Sequence, residues 1–249
     1  MIPHDRPIPP DQARRIGRTV GILFIITFVT SIPALLLYGP VLHDTGYIVG
    51  GGSDNQILLG AALELLLIVA NIGTAIVLYP IAKRQSETAA LGFVTARVVE
   101  SVFIAIGILS VLTVVALRQD GTGSVAVGEA LVALKDWTFL LGPGFVVGIG
   151  NGMLLGYLMY RSGLVPRRMA VLGLVGGPLV CASGIAVLFG ALALGGAGQF
   201  ALTIPEIAWE ASLGLYLAIK GFRQAPILLA AADRSVAPQH PAMPAVATA

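Results

Sequence analysis

Charged residues are scarce in this sequence. They make up 11% of its 249 residues, whereas a soluble domain carries about 25%. With 56% hydrophobic residues, the chain lacks the polar side chains that a fully water-exposed surface requires. The scarcity of charge therefore excludes an ordinary soluble domain and indicates a protein whose exterior faces lipid.

Cysteine and histidine are also rare. The one cysteine, Cys181, excludes an internal disulfide framework and a zinc site built from cysteines. The three histidines (His4, His43 and His240) lie outside the apolar segments, which argues against a histidine metal site or general base within them. No hydrolase triad or phosphate-binding loop is evident, so the sequence does not favour an enzyme and predicts no cofactor. A net charge of +2 without a basic patch gives no indication of nucleic-acid binding.

Long apolar runs account for most of the chain. A helix that spans a bilayer needs about 20 mainly apolar residues. Six segments meet this requirement, at about 17–38, 57–82, 88–117, 137–160, 169–194 and 201–220. The sequence therefore predicts an all-α integral membrane bundle of six transmembrane helices over 17–220. The first segment is as long as a full span and lacks a convincing cleavage site, so we interpret it as a retained helix.

Lysine and arginine are distributed unevenly between the loops. If the N-terminus is cytoplasmic, the inner side holds Arg6, Arg14, Arg15, Arg18, Lys83, Arg84, Arg161, Arg167, Arg168, Lys220, Arg223 and Arg234. The outer loops hold only Arg118 and Lys135. This positive-inside asymmetry predicts that both termini are cytoplasmic. They would be a tail at 1–16 and a largely disordered tail at 221–249, rich in alanine and proline.

Two features of the fourth predicted span leave alternatives open. The preceding residues, 127–135, would form a short interfacial helix or simply continue the span outward. A stripe of small residues four apart lets another helix approach closely, either within the chain or across a dimer seam. The stripe consists of Gly144, Gly148, Gly152 and Gly156, and Gly173 and Gly177 repeat the spacing in the fifth span.

Ionisable residues inside the predicted spans are the main functional signal, because a charge at membrane depth costs about 2.5–3.5 kcal/mol. At about 1.5 Å per residue, Glu64 lies about 10 Å and Glu210 about 13 Å below the outer ends of their spans. Arg97 lies near mid-membrane, three residues from Glu100, so these two can pair and all four groups can share one layer. The candidate ligand-binding residues are Glu64, Arg97, Glu100, Glu210, Glu206, Asn71 and Asn151.

One arginine cannot neutralise three carboxylates, so either protonation or a bound species must balance the excess. A structural network that fixes helix register is one explanation. The others are a site that binds or senses a small molecule, lipid headgroup or cation, and a proton-coupled small-molecule transporter. A structural partner subunit, with the glycine stripe as its seam, also remains open.

Several short motifs together resemble the bacterial DUF4386 family over about residues 14–223. They are Gly39-Pro40-Val41-Leu42, Leu63-Glu64-Leu65, Leu78-Tyr79-Pro80, Arg97-Val98-Val99-Glu100, Asp136-Trp137, Leu141-Gly142-Pro143, Tyr160-Arg161, Leu164-Val165-Pro166-Arg167 and Lys220-Gly221-Phe222. The resemblance implies a multi-spanning protein of a bacterial inner membrane. Because the function of the family is unknown, the resemblance implies no activity.

Overall fold

The computed structural model describes residues 7–44, 46–50 and 52–229. These residues fold into helices and turns without a strand, which confirms the all-α class. The helices are α1 (Pro10–Leu37), α2 (Gly39–His43), α3 (Asp54–Ala82), α4 (Glu87–Gln119), α5 (Val125–Ser162), α6 (Arg167–Leu188) and α7 (Ala197–Lys220). Residues 1–6 and 230–249, which include most of the predicted C-terminal tail, lie outside the described residues.

Five of these helices, α1, α3, α4, α5 and α6, are long and apolar enough to cross a membrane. Their outward faces expose large aliphatic side chains, such as Leu36 at 72% and Val69 at 67%. Such surfaces are costly in water and favourable against lipid. The chain is therefore a membrane protein with several apolar helices. Helix α7 is 24 residues long, but Glu206 and Glu210 lower its mean hydropathy.

The six long helices form a closed ring in which each packs against its neighbours in the chain, and α7 returns to α1. The backbones of α1 and α7 approach closely where small residues face each other. A Cβ at Gly21 would collide with the backbone of Leu217 and Ala218, and one at Gly17 would meet the backbone of Gly221 and Phe222. The last helix is thus fitted directly against the first.

Helix α5 continues without a break from Val125 to Ser162. Its start is capped by the Ser124 hydroxyl, which accepts a hydrogen bond from the Val127 amide at 3.4 Å. Residues 127–135 therefore continue the fourth predicted span and do not form a separate interfacial helix. Two stretches, Leu140–Val146 and Gly148–Leu155, are wound as π-helix. This form is rare in proteins overall, but where it occurs it is often found at functional sites.

Helix α6 ends earlier than the sequence predicted. The fifth span was predicted to reach residue 194, but the helix ends at Leu188. Gly190 and Gly195 then take positive φ angles of 74° and 68°, which glycine adopts without steric cost. These two glycines turn the chain toward α7, so the predicted end of the fifth span was wrong.

The two ends of the bundle differ in chemistry. We call the end that carries Arg18, Lys83 and Arg161 the basic end. There, the Arg223 amide donates to the Leu164 carbonyl and the Ile8 amide to the Leu228 carbonyl, both at 2.8 Å. Residues 221–229 thereby cover the basic end, although the sequence assigned them to the tail.

At the opposite end, Arg118 fixes the connection between α2 and α3. Its guanidinium donates to the Gly50 carbonyl at 3.0 Å and the Gly52 carbonyl at 2.9 Å, and it pairs with Asp54. The Tyr47 hydroxyl donates to the same carboxylate at 3.0 Å. Burial, together with the neighbouring Asp54 carboxylate, raises the pKa of Tyr47 above its ordinary value.

Candidate functional site

Glu64 belongs to a closed ion pair. The Lys135 ammonium donates to both Glu64 carboxylate oxygens, at 2.7 and 2.8 Å. The Tyr38 hydroxyl donates to the same carboxylate at 2.9 Å, and the Lys135 nitrogen lies 4.8 Å from the centre of the Tyr38 ring. Lys135 is 4% exposed and Glu64 8% exposed. Placing Lys135 in an outer loop was wrong, because the continuous helix α5 carries it into the bundle.

Arg97 and Glu100 form a second pair on α4, as their spacing of three predicted. The Arg97 Nη1 to Glu100 Oε2 distance is 2.8 Å. The Asn71 amide donates to the other Glu100 oxygen at 2.9 Å, and Arg97 Nε donates to the Thr74 hydroxyl at 3.4 Å. The guanidinium also lies 5.5 Å from the centre of the Phe24 ring. Arg97 Nη2 is buried without a hydrogen-bond partner among the described residues.

These two pairs do not share one layer. Glu64 and Asn71 are seven residues apart on α3, which corresponds to about 10 Å along the helix axis. Asn71 contacts the Arg97–Glu100 pair, whereas the partners of Glu64 are Lys135 and Tyr38. The expectation of one common layer was therefore wrong for Glu64.

The remaining carboxylates, Glu206 and Glu210, lie one turn apart on α7. The Asn151 amide donates to Glu210 Oε1. Glu206 is 2% exposed, and neither of its carboxylate oxygens has a hydrogen-bond partner among the described residues. The Asn151 side-chain oxygen is also buried, and it has no hydrogen-bond partner in the part of the chain that the structure describes. This pair therefore has no direct cationic partner in the described part of the chain.

Glycines make the space that Glu206 occupies. A Cβ at Gly152 would lie 2.8 Å from Glu206 Oε2, and one at Gly176 would lie 2.7 Å from the same atom. Because real Cβ atoms do not approach an oxygen so closely, only glycine allows the carboxylate between α5 and α6. The neighbouring Trp209 indole donates to the Asn151 carbonyl at 2.9 Å, which fixes α7 against the π-helical part of α5.

The glycine stripe thus packs within the chain. Gly148 and Gly152 face Gly177 of α6, and Gly156 faces the α6 backbone near Gly173. Gly144 approaches only atoms of its own helix among those within 4 Å. Three of the four glycines therefore serve close packing of α5 against α6, the internal alternative of the two that the spacing left open.

The interior carries an excess of negative groups. Glu64 and Glu100 each have a cationic partner, Lys135 and Arg97, whereas Glu206 and Glu210 have no ion pair among the described residues. The charge count made from the sequence set Arg97 against Glu64, Glu100 and Glu210. It therefore omitted Lys135 as a cation and Glu206 as a carboxylate. The unbroken helical pattern from 125 onward was the signal that could have placed Lys135 inside, but no sequence signal shows which carboxylate remains unpaired.

Two cavities lie elsewhere in the described chain. One, of about 180 Å³, opens near the end opposite the basic end and is lined by Val41, Ile48 and Val132 together with Asp136. The other, of about 470 Å³, is an apolar groove between α4 and α5. Neither is lined by Glu206, Glu210 or Asn151.

Comparison with known proteins assigns a family. The model of the family described as "Domain of unknown function (DUF4386)" matches residues 19–221. No curated protein and no solved structure matches the chain significantly. Since the family match covers most of the chain, the protein belongs to the DUF4386 family.

Proposed function

We propose that this member of the DUF4386 family is a six-span protein of a bacterial inner membrane that binds a positively charged species, a proton or a small cation, at Glu206 and Glu210. Both termini lie on the cytoplasmic side, where the basic end meets the inner leaflet. The observation that carries the proposal is the buried Glu206 carboxylate, which lies one turn from a second carboxylate and whose two oxygens have no hydrogen-bond partner over residues 7–44, 46–50 and 52–229.

The proposal of a sixth span depends on helix α7. Its 24 residues extend about 36 Å, which exceeds the roughly 30 Å of a hydrocarbon core. One face packs between α1 and α6, and the other exposes aliphatic side chains, with Leu215 at 55% and Ile219 at 63%. Polar groups on a spanning helix face the bundle interior, and Glu206 does so.

Reporter fusions test this topology. A fluorescent protein that folds only in the cytoplasm is fused after residue 229, and alkaline phosphatase, active only outside, is inserted within 189–196. We expect fluorescence from the first fusion and phosphatase activity from the second. If both reporters indicate the same side of the membrane, α7 does not span, and the topology is overturned.

A bound positive charge follows from the energetics of Glu206. A buried carboxylate without a hydrogen bond or counter-ion is strongly unfavourable. Either a proton or a cation removes that cost, and both are compatible with oxygen acceptors. A purely structural network, the main alternative, requires partners for its members, and Glu64 and Glu100 have such partners, whereas Glu206 has none among the described residues. Proton-coupled transport remains a prediction that would use the same pair.

Stability measurements on purified protein test the binding. The free energy of unfolding of wild type, Glu206→Gln and Glu210→Gln is measured over a series of pH values and salt compositions. Because glutamine neither titrates nor carries charge, we expect Glu206→Gln to remove most of the dependence seen in wild type. The matched control is Glu129→Gln, which changes an exposed carboxylate on α5. Equal responses of wild type and Glu206→Gln would overturn the proposal.

A further inference from the structure

Cationic residues gather at the basic end of the bundle where α1 begins and α7 ends. Arg14, Arg15 and Arg18 lie near the start of α1, and Lys220 is the last residue of α7. All four are exposed, and none of them forms an ion pair with another residue over 7–44, 46–50 and 52–229. We call these four residues the seam cluster.

Contacts between α1 and α7 bring the seam cluster to one level. A Cβ at Gly221 would lie 2.8 Å from the Cγ of Arg14, so the aliphatic stem of this arginine packs on the end of α7. Arg18 Nη2 donates to the Ile219 carbonyl at 3.3 Å, across 201 positions of sequence. Arg14 and Arg18 differ in height by only about 6 Å along α1. Lys220 lies between the two contact points, and the cations of both helices therefore share one level.

The seam cluster has hydrogen-bonding capacity to spare. A guanidinium carries several N–H donors, and the Ile219 carbonyl engages only one nitrogen of Arg18. The side chains of Arg14, Arg15 and Lys220 have no hydrogen-bond acceptor among the described residues. The cluster thus presents both positive charge and free donors at the surface of the basic end.

Carboxylates near the seam cluster are too few to balance it. Asp11 is the acidic residue in the first turn of α1, three residues before Arg14. Glu87 belongs to the connection between α3 and α4, where it accepts from the Tyr79 hydroxyl at 3.5 Å. The carboxylates of α7 lie ten residues or more before Lys220, which is about 15 Å or more along the helix. The uncompensated charge therefore fits an anionic partner, and phosphate suits arginine and lysine donors.

The apolar surface next to the seam cluster indicates which kind of phosphate compound fits. Ile22 is 51% exposed on α1, and Leu215 and Ile219 are 55% and 63% exposed on α7. Since residues four apart share a helix face, Arg18 and Ile22 form a strip that is charged at its end and apolar above. A soluble phosphate would contact only the cations. A phospholipid contacts both parts, the cations through its phosphate and the aliphatic side chains through its acyl chains.

We propose that the seam between α1 and α7 binds an anionic phospholipid. Its phosphate lies against the seam cluster, and its acyl chains lie along the exposed aliphatic side chains of the two helices. Because the lipid contacts the first and the last of the long helices together, it stabilises the closed ring. This surface is separate from the carboxylate pair of α7 and depends on neither Glu206 nor Glu210.

The test measures lipid binding to the full-length protein in dodecyl maltoside, by native mass spectrometry and by the thermal unfolding midpoint. Phosphatidylglycerol, phosphatidylcholine with the same acyl chains, and glycerol 3-phosphate are titrated at constant ionic strength. We expect phosphatidylglycerol to be retained and to raise the midpoint in a saturable manner, as a ligand of the folded state does. Phosphatidylcholine lacks the net negative charge, and glycerol 3-phosphate lacks the acyl chains, so neither should give a comparable rise.

Paired variants assign the binding to the seam cluster. Arg14→Gln/Lys220→Gln should weaken the apparent affinity for phosphatidylglycerol about tenfold or more, because each surface cation adds to the attraction for anionic lipid. Glutamine retains the Cγ that packs on Gly221, so the seam is preserved. The matched control, Arg161→Gln/Arg168→Gln, removes two exposed cations of the same end at the connection of α5 and α6. We expect it to change the affinity less than about twofold.

The outcomes decide between a site and general attraction. Equal losses of affinity in the two double variants would assign the binding to the overall charge of the basic end and overturn the proposal. Equal responses to phosphatidylglycerol and phosphatidylcholine would overturn the anionic requirement, and an equal response to glycerol 3-phosphate would overturn the lipid. If Arg14→Gln/Lys220→Gln does not fold, Arg15→Gln takes its place and should weaken the affinity about fivefold. Unchanged affinity in that variant would also overturn the proposal.

Discussion

Removing the Lys135 ammonium should destabilise the fold strongly. In Lys135→Met, Glu64 loses contacts of 2.7 and 2.8 Å and keeps only the Tyr38 hydroxyl at 2.9 Å. At 2.8 Å, the gross attraction between unit charges is about 6 kcal/mol for an effective dielectric constant of about 20. Part of this is offset by desolvation, and breaking a buried pair from one side costs about 3–5 kcal/mol net. We expect Lys135→Met to lower the free energy of unfolding by an amount in that range.

The assay is reversible unfolding in mixed micelles of a mild detergent and dodecyl sulfate, followed by circular dichroism. The double variant Lys135→Met/Glu64→Gln removes both charges and should recover most of the loss, to within about 1 kcal/mol of wild type. Arg168→Met removes an exposed cation at the basic end and serves as the matched control. If Lys135→Met loses less than about 1 kcal/mol, the pair contributes no more than an exposed salt bridge does, and the reasoning is refuted.

Three further predictions use the same preparation. Gly177→Ala should cost about 1–3 kcal/mol, because its Cβ would lie 2.8 Å from the Met153 amide nitrogen. Gly144→Ala, with no contact under 3.5 Å, should not destabilise the fold. Because the pKa of Tyr47 is raised on folding, its contribution to stability is complete below the ordinary value of about 10 and declines above it. Alkaline difference absorption should show a late-titrating tyrosine signal that is smaller in Tyr47→Phe. Arg118→Gln should leave the Gly50 and Gly52 carbonyls without a donor, and limited proteolysis should then cut faster between α2 and α3.

Helix periodicity accounts for what the sequence predicted correctly. The spacing of Arg97 and Glu100 is a local property of one helix, and the pair is present at 2.8 Å. Long apolar runs likewise predicted the class of fold, because backbone groups in lipid must be satisfied within the segment. The family resemblance agreed with the match over residues 19–221.

The contacts between helices could not be predicted from the sequence. Lys135 pairs with a residue 71 positions away, and only the rotation and depth of α5 against α3 bring the two together. The unpartnered state of Glu206 depends on two glycines of other helices that leave space without supplying a donor. Periodicity indicates which residues share a face, but it does not indicate which face meets which partner.

The closed ring has a consequence for how the protein enters the membrane. In the proposed six-span topology, α7 is synthesised last of the six long helices, and its two carboxylates reduce its tendency to enter lipid alone. Its place is a slot whose walls, the glycine faces of α1 and α6, are the earliest and the most recent helices to be synthesised. Insertion of α7 should therefore depend on α1 being already in position. In a chain without residues 1–38, we therefore expect α7 not to insert, although it lies far in sequence from the deletion.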